Sequence, residues 1–269
     1  MLTIVAGFLG ALIFGTTAAA FGLDGWIWTP LFSIAGFLAS TIPINLWVKK
    51  RLEAVFKKAQ SRIEEHQQVV RRRLNTMQNK MMSSTKGVQR QLEKQQEQVV
   101  REAIDDLKGV EPLRKWNLLA ARQANTMRAQ LYFQIKDFGK ADEYFENCLA
   151  LDPVTIAMRL TRLYKREEME KFDKLYRKSI KRFKGEKGVL LYALRSWILV
   201  KQKKVDEAIA LLDKAKDDTE SDVLRANWQH LVNGRNRQFS NAGLGDSWYA
   251  LHLETPKPVR VKQRRGARR

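Results

Sequence analysis

The sequence predicts an all-α protein: an N-terminal two-helix transmembrane hairpin, a long amphipathic, coiled-coil-like helix, then a short α-solenoid with a basic tail. Three observations carry this. Apolar and charged residues are segregated along the 269 residues, with Asp24 the one charged side chain in residues 1–48. From Ile44 to Glu111 there is no proline, and apolar residues recur there in steps of three and four. Beyond that, the apolar pattern changes phase at short turn sequences, as in helix–turn–helix pairs. The boundaries read as 1–48, 49–110, 111–233 and 234–269.

The first span is Leu2–Leu23, uncharged and 22 residues long, enough at ~1.5 Å per residue to cross a bilayer. The second is Trp26–Val48, with Trp26, Trp28 and Trp47 at its two ends, where indoles favour the headgroup region. Asp24–Gly25 supplies the turn. A cleaved signal peptide is the competing reading, since "TTAAAF" offers small residues. The missing Lys/Arg n-region and the length of the apolar run argue against it. A buried soluble hairpin is disfavoured because nothing later in the chain is apolar enough to enclose it. Pro30 and Pro43 lie near the ends of the second span, and Gly7, Gly10 and Gly15 form a small-residue strip suited to close packing within the hairpin.

Lys49, Lys50, Arg51, Lys57 and Lys58 follow at once, so this end should stay in the cytoplasm. Two spans then place both termini there, which predicts a two-pass protein of the bacterial inner membrane. The net charge of +20 is uneven: +9 lies in residues 49–90 and +7 in 234–269. Two basic flanks around a nearly neutral body call for anionic surfaces. Their candidate contacts are Lys49, Lys50, Arg51, Arg71, Arg72, Arg73, Arg264, Arg265, Arg268 and Arg269.

The seam Leu52, Phe56, Ala59, Ile63, His66, Val70, Leu74, Met77 and Met81 restarts at Val88, Leu92, Val99, Ala103 and Leu107. It predicts one long helix with a weak point around "MMSSTKG". A coiled-coil stalk that could join two copies, a helix folded onto the next domain, and a helix lying on the membrane all fit this pattern.

Around "FGKADEYFENCLALDP" (Phe138–Pro153), Ala129 and Tyr132 before it and Ala141, Phe145, Cys148 and Pro153 within it take positions 8, 11, 20, 24, 27 and 32 of a 34-residue unit starting at Arg122. Tyr192, Ser196, Leu199, Ala208, Leu212 and Ala215 repeat the spacing from Val189. Between them "LTRLYKREEMEKFDKLYRKSIKRF" supplies a degenerate middle unit, with Phe172 where alanine is expected. "SDVLRANWQHLV" reads as a terminal capping helix. Over residues 122–222 the chain resembles the tetratricopeptide repeat (TPR) superfamily, and its layout is loosely similar to HemY-like proteins. The resemblance implies stacked helix pairs whose first helices line a protein-binding groove: Gln123, Thr126, Gln130 and Phe133 from one unit, Leu190, Ala193, Trp197 and Val200 from another. The lysine–asparagine clamp of chaperone-tail binders is missing at these positions, and the apolar Trp197 surface suits a hydrophobic segment, either a partner's or this chain's own. Cys148 reads as a packing residue.

"DSWYALHLE" (246–254) reads as a short docked segment. After Thr255 come seven basic residues and no acid, a tail expected to be disordered. His66, His230 and His252 are scattered, and neither a metal motif nor a nucleophile elbow is present. No enzyme activity, cofactor or metal is expected. The implied role is a non-catalytic, membrane-anchored scaffold or adaptor that joins protein partners, themselves membrane-associated, in an envelope complex. The alternative is a membrane-tethered RNA- or ribosome-binding protein acting through the basic flanks, which would also suit anionic lipid but carries no nucleic-acid motif. A third reading is an accessory subunit that stabilises a membrane partner.

Overall fold

The computed structural model describes residues 2–20, 28–79 and 85–256, with side chains over 2–20, 28–72 and 91–256 apart from Leu118. It is all-α: among the described residues there is no strand. The chain divides into two compact units, Met1–Leu149 and Ala150–Arg269.

The first unit begins with α1 (Leu2–Ala20) and α2 (Trp28–Asn79). They run antiparallel along a seam of small residues. A Cβ on Gly7 would meet Phe37 and Thr41, one on Gly15 would meet Ser33, and one on Gly36 would lie 2.6 Å from both the Gly10 carbonyl and the Phe14 Cβ. The backbones are therefore as close as glycine allows. Ser40 and Thr41 in this seam donate to the carbonyls of Gly36 and Phe37 in their own helix, which satisfies both hydroxyls locally. The larger apolar side chains face outward instead: Phe8 is 62% exposed, Leu12 64% and Leu46 61%. α2 passes through Pro43 and continues beyond Val48 with no interruption, ~78 Å in all.

The expected single helix over 49–110 is two helices. α2 ends at Asn79 and α3 (Thr85–Asp106) returns antiparallel, continuing as a 3-10 segment, Leu107–Lys115. The first four residues of the expected weak point "MMSSTKG" (81–87) lie outside the described residues, and the rest open α3. The reversal follows from the thin seam, because one such helix alone would leave its apolar face in water. Ala59, with Val55, Phe56 and Ile63, meets Val100, Ala103, Ile104 and Leu107; Leu52 meets Val110 and Leu113. Both clusters also take in α4 (Leu118–Gln134), through Leu131 in one and Ala120 and Ala124 in the other. Outside the seam, Asp106 receives Lys58 at 2.7 Å and Arg62 at 2.9 Å, while Arg62 also reaches Glu102 at 2.8 Å. Those two cations hold the Asp106 carboxyl below its ordinary pKa, the Lys58 hydrogen bond contributing most.

α4 is followed by α5 (Phe138–Glu146). Asn117 and Asp137 cap these helices, accepting from the amides of Leu119 and Lys140. Ala129, Ala141 and Phe145 are buried where the helices cross, and Tyr132 stacks on Tyr144 at 5.6 Å. Cys148 differs from expectation in one respect. α5 ends two residues before it, so the half-buried thiol lies beyond the helix.

The second unit contains α6 (Pro153–Lys165), α7 (Met169–Arg182), α8 (Val189–Lys201), α9 (Val205–Asp218), α10 (Asp222–Val232) and the single turn α11 (Asp246–Tyr249). Asp152 caps α6, and Pro153 takes the first helical position, where its missing N–H costs nothing. Leu160, Phe172, Leu191, Leu194, Ile198, Leu212 and Leu224 are fully buried.

One turn recurs. α4, α6, α8 and α10 each end with a residue at left-handed φ: Lys136 (62°), Glu167 (60°), Lys203 (62°) and Gly234 (68°). In each, the following amide bonds the carbonyl five residues back: Asp137 to Tyr132, Glu168 to Leu163, Lys204 to Leu199, Arg235 to His230. This is the Schellman closure. It places Tyr132, Leu163 and Leu199 at one equivalent position in three successive units. The intervals are 31 and 36 residues, so the middle unit begins early and the next one late. Phe172 lies nine residues after Leu163, as Ala141 does after Tyr132 and Ala208 after Leu199.

Candidate protein-interaction surface

The two sets of groove residues belong to separate units and are described separately. On α4, Gln123 is exposed and Gln130 half-buried. Thr126 is engaged within the unit, donating to the carbonyls of Arg122 and Leu149 and accepting from the Leu149 amide at 2.9 Å. It ties the chain after α5 back onto α4. Phe133 is fully buried, edge-on to Phe138 and Phe145 at 5.4 and 6.3 Å. Gln123 is thus the member of this set most open to solvent.

On α8, Leu190, Ala193 and Trp197 are buried and Val200 half-buried. The chain's own C-terminal segment packs against Ala193 and Trp197. Asn241 donates to the Ala193 carbonyl at 3.0 Å and accepts from Asn227 of α10 at 2.8 Å; Asn227 in turn accepts the Ser240 amide. Both asparagines are buried and satisfied, which fixes where the segment lands. Trp248 of α11 is fully buried and meets the Trp197 ring edge-on at 6.0 Å. The Glu254 carboxylate then closes the arrangement, accepting the indole N–H of Trp197 on one oxygen (2.7 Å) and that of Trp248 on the other (2.9 Å). Tyr164 abuts Trp197 from α6. "DSWYALHLE" was legible as a docked segment; Asn241 and Glu254 as its fasteners were not. The available signal was that Glu254 is the one acid after Asp246 in an otherwise basic stretch.

Lys49, Lys50, Arg51, Arg71 and Arg72 are exposed along α2. Arg51 lies over the Trp47 ring at 5.3 Å, and Lys49 pairs with Glu53 at 3.8 Å. The side chain of Arg73 and all of Arg264, Arg265, Arg268 and Arg269 fall outside the described residues.

Two tyrosines offer a test for chemistry. Burial first, then a hydrogen bond to Asp218, pushes the Tyr192 hydroxyl up from its ordinary pKa, and burial does the same for Tyr176. Both stay protonated at neutral pH, and neither can serve as a base. Among the described residues no three His, Cys, Asp or Glu side chains gather as a metal ion would need.

No curated protein and no solved structure matches the chain. Residues 123–155 match the family model of the tetratricopeptide repeat, which begins one residue after the register set from Pro153 and runs through α4 and α5 into the first turn of α6. That match lies over one of three helix pairs whose first helices end in the same turn, and by it the chain is related to the tetratricopeptide repeat superfamily.

Proposed function

We propose that this protein is a non-catalytic scaffold of the bacterial inner membrane, holding a TPR domain in the cytoplasm where it joins protein partners in an envelope-associated complex. TPR units generally mediate protein–protein interaction, and that much follows from the match. Membrane anchoring is the added step, and one observation carries it. α2 is a continuous helix whose first half, paired with α1, exposes large apolar side chains, while its second half packs through α3 onto the first repeat helix. α1 and α2 are long and apolar enough to cross a membrane, with mean hydropathy of 1.9 and 1.6 over their most apolar windows. Only lipid or another apolar helix would cover Phe8, Leu12, Ile34 and Leu46. The basic run from Lys49 supports a cytoplasmic exit. The hydrogen bond from the Thr3 hydroxyl to the Trp116 carbonyl, 2.5 Å, supports the same side for the N-terminus.

The covered state of α8 bears on where partners dock. On this reading the Trp197 face is occupied by the chain's own segment, and the exposed α4 surface around Gln123 receives the partner. Alkaline extraction and a C-terminal reporter fusion test the anchor: the chain should stay with the membrane fraction and the reporter should be cytoplasmic. Release by alkali or a periplasmic reporter overturns it. Co-purification from membranes tests the scaffold. A chain lacking residues 255–269 should retain its protein partners; if it retains none and wild type carries RNA lost at moderate salt, nucleic-acid tethering through the basic tail is the better account.

A further inference from the structure

A concentrated positive charge lies on α7, inside the region whose overall charge is nearly balanced. α7 carries six basic residues against two acids, a net +4, while α9 carries two against five, a net −3. The inner side of α7 is fixed by Phe172, Tyr176 and Ser179, all buried. Helical spacing therefore turns Lys174, Arg177, Lys178 and Lys181 outward together, and Lys184 follows after the helix; all five are exposed. Glu170, in the first turn, is the one acid of α7 with no ion pair of its own among the described residues, and it lies at the N-terminal end of the stripe. Glu168 is taken by Lys171 at 2.6 Å and Asp173 by Arg195 at 3.1 Å, and Glu186 accepts the Glu220 amide. Among the described residues none of the five basic side chains forms an ion pair.

We infer that this face of α7 is a binding surface for the anionic phospholipid headgroups of the membrane that carries the protein, an inference resting on the membrane reading above. The stripe, ~15 Å long from Lys174 to Lys184 if the helical rise is continued, presents ammonium and guanidinium groups on a rigid helix, which suits an array of phosphates. Two observations favour lipid over nucleic acid. No aromatic ring on this face is available for base stacking, since Phe172, Tyr176 and Phe183 are buried. The apolar hairpin would also make the encounter with headgroups intramolecular, raising their effective concentration. Each basic side chain brought within a Debye length of an anionic leaflet then adds to the attraction.

The test is amine acylation of the full-length protein in nanodiscs, read lysine by lysine by mass spectrometry. Discs of phosphatidylcholine alone are compared with discs containing phosphatidylglycerol. Labelling of Lys174, Lys178 and Lys181 should fall about tenfold in the anionic discs and recover at high salt, while exposed Lys203 stays unchanged. Equal labelling of the stripe in both discs overturns the proposal, as does protection by added RNA in neutral discs with none from phosphatidylglycerol. Disc entry is read separately: a chain that fails to enter either disc sinks the membrane reading itself, whereas a chain that enters without protection sinks only the stripe.

Discussion

Glu254 accepts the indole N–H of Trp197 at 2.7 Å, across 57 residues, and its second oxygen accepts that of Trp248. One carboxylate thus satisfies two indoles, one fully buried and the other nearly so, that would otherwise lose their partners to desolvation. The two bonds make residues 240–254 a structural part of the second compact unit.

Glu254→Ala leaves both donors unsatisfied, at a cost of about 1–3 kcal/mol. The full chain in detergent should show a lower thermal midpoint and a red shift in tryptophan emission as the segment loosens. Glu254→Gln should fall between the two, because its amide oxygen still accepts one indole. An unchanged midpoint in Glu254→Ala would show that the segment is held by its apolar contacts alone.

Phe172 occupies a position where its two counterparts, Ala141 and Ala208, are alanine. Restoring the family residue type should nevertheless destabilise this protein. Phe172 is fully buried, stacks on Tyr176 at 6.2 Å and lies under the Arg195 guanidinium at 5.3 Å. Phe172→Ala removes a ring from a close-packed site and should cost about 3–5 kcal/mol, read from denaturant midpoints of the full chain. A neutral or stabilising result would mean the helices close over the gap.

The reasons some features were legible in the sequence and others were not are physical. Tyr132, Ala141 and Phe145 could be placed because close helix crossings accept few residue types at fixed spacing. The glycine strip could be placed because it had no other use than close approach. The reversal between α2 and α3 could not, since apolar steps of three and four specify a helix face without saying what covers it. The Asn227–Asn241–Ala193 linkage was equally hidden, because its polar partners lie far apart in the chain and follow no period. Averaging the charge over 91–233 concealed the α7 stripe, which emerges only when buried and exposed faces are separated.

Gly36 tests the hairpin. A Cβ there would lie 2.6 Å from the Gly10 carbonyl oxygen, a backbone atom that cannot swing aside. Gly36→Leu should force α1 and α2 apart and cost about 1–3 kcal/mol, seen as a lower thermal midpoint in detergent. Ala19→Leu, on an exposed position of α1, is the control and should leave the midpoint unchanged. Equal midpoints for both variants would argue that the seam is not what holds the hairpin.

Asp106 gives the α2–α3 pair its pH dependence. Its side chain is 10% exposed, and Lys58 and Arg62 lower its folded pKa relative to the unfolded chain, where an aspartate titrates at ~3.9. The sign follows from linkage. The unfolded state binds the proton more readily, so this stabilisation is fully present above the unfolded pKa and is lost as pH falls through the depressed folded value. Thermal midpoints of wild type and Asp106→Asn, taken from neutral pH down into the acid range, should therefore converge. Wild type should be the more stable at neutral pH, and the gap should begin to narrow as pH falls past the ordinary carboxylate pKa and close only below the depressed folded value. A gap that persists undiminished in acid would assign the role of Asp106 to hydrogen-bond geometry and not to its charge.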